Sequence, residues 1–432
     1  MSLPPFAEAL RVWARIGCLS FGGPAAQIAL MHREVVEERR WVGEARFLHA
    51  LNFCMLLPGP EAMQLATYLG WLMHGVKGGV AAGLLFILPG ALVMLALSFL
   101  YAALGQVPVM AALFLGLKCA VLVLVVEALL RVARRALKGA LPWVVAAAAF
   151  AALFVLAVPF PLVVLGAALL GWALPAAFAP SGHKGGTGGS ESALDAALAA
   201  EPGRIAALAG AARRAGLAAL ALWLWPVALL MGSGGCLADV ALFFSQMAVV
   251  TFGGAYAVLA YVAQEAVGRY GWLSAPEMLA GLGLAETTPG PLILVLQFVG
   301  FLAGWREGGA WGALAGAGMT LWVTFLPCFA WIFLGAPYVE RLHGHAKLAG
   351  ALAAVTAAVV GVIANLALWF ALRVLFAEVP GLLPAWHTLR WDALALSVLA
   401  GVLLFGLRLG VVRTLGLTAL AGLALSLLGA AP

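Results

Sequence analysis

The chain has 432 residues, of which 65% are hydrophobic and only 10% charged, against about 25% charged in a typical soluble domain. With a mean hydropathy of +1.07, such a chain could not cover its own apolar surface in water, which excludes the soluble and disordered classes. The net charge is +6, and its Lys and Arg sit in short clusters between apolar runs, the pattern of membrane orientation rather than of nucleic-acid binding. At about 20 residues per spanning helix the chain has room for roughly a dozen spans. The reading is an all-α polytopic membrane protein, because the alternating strands of an outer-membrane barrel are absent.

Apolar runs fall at 6–31, 45–75, 78–104, 107–130, 141–157 and 160–178. The first contains Arg11 and Arg15 and leads into a motif, so it does not read as a cleavable signal. A stretch beginning PSGHKGGTGGSES follows, and 179–215 reads as a flexible cytoplasmic linker. An extra helix is expected at 216–236, and runs resume at 237–263, 275–304, 309–336, 346–376, 391–407 and 410–430. Cys18, Cys54, Cys119, Cys236 and Cys328 lie in or beside these runs, with no metal or redox spacing. They read as small hydrophobes.

The chain repeats itself. Phe21-Gly22-Gly23 recurs as Phe252-Gly253-Gly254, Glu34 as Glu265, Trp41 as Trp272, and Pro58-Gly59-Pro60 as Pro289-Gly290-Pro291, always 231 positions on. Leu88-Pro89 matches Leu326-Pro327 after a short insertion. The chain thus reads as two homologous repeats, 1–178 and 237–432. One extra span between two six-run halves would invert the second, as in secondary transporters. If the first two runs of each half dip in and return, an N-terminus inside the cell leaves only Arg269, Arg306, Arg373 and Arg390 on the outer side, with Lys118 within a run. The positive-inside rule favours that arrangement over single crossings.

The motifs interrupt their runs. Glycine frees the backbone and proline cannot continue a helix, and irregular backbone at membrane depth survives only inside protein or beside a water-filled cavity. Pro24 and Pro60 are each expected to open a half-helix whose bare N–H groups face the break and suit an anion. The candidate substrate site is therefore Phe21, Gly22, Gly23, Pro24 and Gln27 with Pro58, Gly59, Pro60 and Gln64 in the first half. In the second it is Thr251, Phe252, Gly253 and Gly254 with Thr288, Pro289, Gly290, Pro291 and Gln297. Glu61 and Glu286 are costly if ionised at depth and tolerable if protonated, which makes them candidates for proton coupling. Their plainer roles are a helix cap for Glu61 and a hydrogen-bonded structural carboxyl for Glu286. Glu34 and Glu265 are weaker coupling candidates, since a shared structural bond explains their recurrence. Lys118 must pair, snorkel or face a cavity, and could help hold a divalent anion. Arg39 and Arg40 read as markers of the inner interface. The Gly312/Gly316 spacing reads as close helix packing. Nucleotide-binding, metalloprotease and nucleophile-elbow motifs are absent, so no enzyme activity, cofactor or metal is expected.

Together these residues resemble the chromate ion transporter family in its long two-domain form. The resemblance is carried by Phe21-Gly22-Gly23-Pro24, Trp41, the stretch from Leu57 through Pro58-Gly59-Pro60 to Gly70, and Phe86-Ile87-Leu88-Pro89. In the second half it is carried by Phe252-Gly253-Gly254, Trp272, Thr288-Pro289-Gly290-Pro291-Leu292-Ile293 and Phe298-Val299-Gly300. It implies a bacterial or archaeal inner-membrane secondary transporter that expels chromate, draws on the proton motive force and confers chromate resistance. Ala255 departs from the pattern where the first half has Pro24, as does Met55, where such proteins often carry Gln. The expected partners are chromate, protons and the bilayer, with no nucleic acid. Sulfate, equal in shape and charge, is the alternative substrate, and a homodimer is left open. An intramembrane reductase would need a cofactor site or a cysteine pair, and the sequence offers neither.

Overall fold

Prolines and glycines mark where the helices start and stop. The computed structural model describes residues 3–105, 107–178, 192–201, 203–252, 255–338, 346–381 and 383–428. In the first half the helices are α1 (Phe6–Leu19), α2 (Gly23–His32), α3 (Glu44–Cys54), α4 (Glu61–Leu104), α5 (Pro108–Ala136), α6 (Ala140–Phe154) and α7 (Phe160–Ala173). Then come α8 (Ala193–Ala200) and α9 (Arg204–Leu230). The second half holds α10 (Cys236–Val250), α11 (Ala255–Gln264), α12 (Ala275–Thr287), α13 (Val295–Gly335), α14 (Ala346–Leu375), α15 (Trp391–Gly401) and α16 (Val411–Leu427). The described residues contain no strand beyond a single bridge between Phe376 and Leu389. Five helical stretches are long and apolar enough to cross a membrane: 61–104, 108–136, 204–230, 292–338 and 346–375. The protein is an all-α, multi-pass membrane protein.

Two of those stretches fold back on themselves. In α4 the helix is interrupted at His74 (φ −130°, ψ 21°) and Gly75 (φ 63°, ψ −155°); in α13 it is interrupted at Gly308 (φ −134°, ψ 23°) and Gly309 (φ 56°, ψ −141°). Positive φ is the glycine region. Beyond each turn the chain packs against the segment before it. A Cβ at Gly70 would lie 2.5 Å from the Gly78 carbonyl oxygen, and one at Gly300 would lie 2.7 Å from that of Gly316. Gly304 and Gly312 press on each other in the same way. The small-residue spacing at Gly312/Gly316 thus serves packing within a helical hairpin. Each hairpin has a short arm, 61–73 or 295–307, and a long arm of spanning length, 76–104 or 310–335.

Local geometry recurs at matched positions elsewhere. A π-helical turn covers Arg33–Glu38, and another covers Glu265–Arg269. Trp41 N–H donates to the Val35 carbonyl at 2.8 Å, and Trp272 N–H to that of Ala266 at 2.8 Å. Arg40 (φ 52°) and Gly271 (φ 61°), 231 positions apart, share a left-handed backbone.

The stretch expected as a linker is partly helical. Ser192 caps α8 by accepting the Asp195 N–H at 3.1 Å, and the alanine-rich sequence after it suits a helix. Ala193 and Leu194 N–H groups bond the carbonyls of Arg40 and Trp41, and Asp195 pairs with Arg46 at 2.6 Å. The expected extra helix begins earlier, at Arg204. The rest of the linker, 179–191, lies outside the described residues.

The helices gather into two compact units, each drawing on both sequence halves. One contains residues 1–93, 180–255 and 288–346; the other contains 94–179, 256–287 and 347–432. In the first, α13 packs on α9 and α10, and the Trp223 indole donates to Ser245 across 3.1 Å. In the second, α5 is the central element, packed by α12, α15 and α16.

Candidate functional site

The breaks sit in the first unit, and backbone bonds join them crosswise. Ser20 ends α1 and Thr251 ends α10, each directly before its Phe-Gly-Gly motif. Gly290 N–H, in the second Pro-Gly-Pro, donates to the Ser20 carbonyl at 2.7 Å. Gly59 N–H, in the first, donates to the Thr251 carbonyl at 2.9 Å. Each Pro-Gly-Pro therefore completes the helix end in front of the opposite half's Phe-Gly-Gly. Gly59 (φ 120°) and Gly290 (φ 91°) need their freedom to make the turn. One carbonyl at each of these two helix ends, that of Ser20 or of Thr251, is satisfied this way, as burial requires.

Side chains reinforce the crossing. Gln27 is buried and its amide nitrogen donates to the Gly290 carbonyl at 2.6 Å and to the Ser20 carbonyl at 3.4 Å. Gln64 donates to the Pro58 carbonyl at 2.7 Å, and Gln297 donates to the Ala91 carbonyl at 3.0 Å. The Leu-Pro stretches also cross. A Cβ on Gly90, just after Leu88-Pro89, would collide with the Pro289 carbonyl, and one on Gly59 would lie 2.8 Å from Cys328 Sγ, just after Leu326-Pro327. The carbonyl oxygens of Gln27, Gln64 and Gln297 are buried with no hydrogen-bond partner.

In the first half, helices start at both breaks. Gly22 (φ 86°) is the N-cap of α2, Pro24 lies in its first turn, and no side chain caps it. A Cβ on Gly23 (φ 79°) would meet nothing within 4 Å, so space adjoins this end. Phe21 is exposed beside it. Pro60 directly precedes the short arm of α4, which Glu61 opens, within electrostatic reach of Cys54. In the second half a 3-10 turn, Leu292–Leu294, separates Pro291 from α13. Thr251, Thr288, Pro289 and Gly290 are buried and Phe252 is half-buried. Gly253 and Gly254 lie outside the described residues. Despite lacking proline, α11 still starts at Ala255. Met55 is exposed, at the end of α3.

The remaining candidates divide between the units. Glu34 is fully buried in the first unit, 2.5 Å from Arg39 and 3.5 Å from Arg15. Its counterpart Glu265, in the second unit, pairs with Arg269 at 3.3 Å. Glu286, also in the second unit, is buried and accepts the Tyr256 hydroxyl at 2.5 Å. An ion pair between Arg131 and Glu127 lies within its electrostatic reach. Tyr256 is a residue that sequence reasoning missed: it stands 30 positions from Glu286, with no motif to link them. Lys118 faces a separate cavity of the second unit.

Comparison with known proteins decides the family. The family model described as chromate transporter matches residues 7–172 and 238–425. The chain belongs to the chromate transporter family. A chromate transport protein of Pseudomonas aeruginosa is 35% identical over 370 residues, 84% of this chain and 81% of that protein. One from Cupriavidus metallidurans is 28% identical over 83% of this chain and 81% of its own. A probable chromate transport protein of Synechococcus elongatus is 29% identical over 81% of each. No solved structure matches. Every described break residue falls inside the two regions shared with the chromate transporter family, whereas α8 and α9 fall between them.

Proposed function

We propose that the chain is a secondary transporter that exports chromate from the cytoplasm, coupled to protons, and thereby confers chromate resistance. It lies in a bacterial or archaeal inner membrane with its N-terminus inside. The crosswise pairing of the breaks carries this reading. It gathers two interrupted regions from each half and leaves uncapped helix starts beside open space at Gly23. Bare N–H groups and the positive end of the helix dipole favour a dianion there. No Lys or Arg is needed at the breaks, which suits a carrier that must release what it binds.

Glu286 is the coupling group we favour. It is buried, hydrogen-bonded to the Tyr256 hydroxyl, and stands four residues before Gly290 in sequence. Its hydroxyl partner Tyr256 can donate to the ionised form and accept from the protonated one. Glu61, at the start of the α4 short arm, is the second candidate. Glu34 fits a structural role better, because it pairs with two guanidinium groups, and half-buried Glu265 follows it, paired with Arg269.

The test is flux of labelled chromate in proteoliposomes, with an imposed pH gradient and sulfate as competitor. Gradient-driven chromate flux that resists excess sulfate is expected. Equal transport of sulfate would make the chain a general oxyanion carrier, and flux indifferent to the gradient would remove the proton coupling.

A further inference from the structure

We propose that Lys118, Arg373 and Arg390 form a second oxyanion site, in a cavity of the second unit, that takes a tetrahedral dianion of the sulfate or chromate kind. The three cations come from distant parts of the chain and line one cavity of about 180 Å³. That is far more than the ~10–15 Å³ a single water needs. Lys118 is the eleventh residue of α5, roughly 15 Å along it at 1.5 Å per residue. Arg373 sits in the last turn of α14, its guanidinium 5.5 Å from the Trp369 ring. Arg390 is the N-cap residue of α15.

The segment joining these two arginines is built to hold them. Arg390 N–H donates to the Leu375 carbonyl at 2.7 Å, Ala377 N–H donates to that of Thr388 at 3.1 Å, and Phe376 and Leu389 form the bridge. Phe376 and Trp386 pack edge to face within this segment. Ser426, from α16, adds a hydroxyl to the lining, and Pro276 and Leu279 of α12 add apolar surface.

The charge balance calls for an anion. Two carboxylates are near, and both are engaged. Asp392 pairs with Arg390 at 3.3 Å, and Glu277, within electrostatic reach of Lys118, accepts the Ser274 N–H at 2.6 Å. Lys118 has no ion-pair partner among the described residues, and Arg390 lies within its electrostatic reach. Like charges facing one cavity at reduced dielectric repel, and a dianion between them reverses the sign. Two guanidinium forks and an ammonium supply more donors than a tetrahedral dianion has oxygens. A monovalent ion of the same shape would gain about half the Coulomb energy.

The same chemistry would serve a free dianion or the phosphate of an anionic lipid, and the experiment separates them. Binding of labelled sulfate is measured on the full chain in nanodiscs of phosphatidylcholine, and again with phosphatidylglycerol added. We expect Lys118→Gln and Arg373→Gln each to weaken sulfate binding at least tenfold, Lys118→Arg to keep it, and perchlorate to compete at least tenfold less well than chromate. Sulfate binding that survives phosphatidylglycerol assigns the site to free dianions. Displacement by that lipid, lost in Arg373→Gln, assigns it to headgroup phosphate. Unchanged affinity and stoichiometry for sulfate in both charge-removing variants, with no change in lipid retention, overturns the proposal. Arg373 is exposed at a helix end, so its variant serves if Lys118→Gln does not fold. The readout is binding, so it stands whether or not the flux experiment supports chromate export.

Discussion

Replacing Gln27 by leucine tests the crosswise joint directly. The Gln27 amide spans two carbonyls, those of Gly290 (2.6 Å) and Ser20 (3.4 Å). Ser20 keeps its bond from Gly290 N–H after the substitution, whereas the Gly290 carbonyl loses the donor it has. A buried carbonyl left unpaired costs about 1–3 kcal/mol. Part of that is returned, because the unpartnered Gln27 carbonyl oxygen leaves as well. The net is about 1–2 kcal/mol, a factor of roughly 5–30 in an equilibrium. Gln27→Glu should lose more, since it sets a buried acceptor against an acceptor. The assay is chromate flux in proteoliposomes, scaled to protein that elutes as a single folded peak. Gln27→Leu with wild-type flux and an unshifted melting temperature would refute the joint as a functional element.

Three further outcomes follow. Gly23→Leu is expected to abolish chromate flux in a protein that still folds: its side chain meets open space, but the φ of 79° strains a non-glycine residue by about 1–2 kcal/mol and the leucine fills the helix start. Folded protein with normal flux would remove the anion site from this break. Glu286→Gln should make chromate flux insensitive to the pH gradient and Tyr256→Phe should shift its pH dependence; gradient-driven flux retained in Glu286→Gln would move the coupling to Glu61. Gly300→Leu should prevent stable folding, because its Cβ meets Gly316 and Thr320 across the α13 hairpin, an overpacking cost of at least about 1–3 kcal/mol; a monodisperse, thermally normal variant would show the hairpin to be looser than described.

Much of this was legible in the sequence for a simple reason: glycine and proline act locally. The breaks at Gly22-Gly23 and Gly59 interrupt apolar runs from within, and the fold-backs beside Gly75 and Gly309 fall where one run gives way to the next. The partner of each break was not legible. A bond from Gly59 N–H to the Thr251 carbonyl has no side-chain signature, and any residue there would offer the same atoms. Arg373 and Arg390 read as orientation markers, because nothing in a linear sequence brings them to Lys118, more than 250 positions earlier. The helix at α8 was masked by the polar glycine-rich stretch ahead of it.

The crossed joints also set a timetable. Gly59 waits for Thr251, and Ser20 waits for Gly290. At about 5–20 residues per second of synthesis, Gly59 is made roughly 10–40 s and Ser20 roughly 15–55 s before its partner. During that interval the first half holds unsatisfied backbone at its breaks, in a solvent that offers lipid tails rather than water. Assembly of the first unit is necessarily a late event, since α13, which packs on α9 and α10, ends only at Gly335.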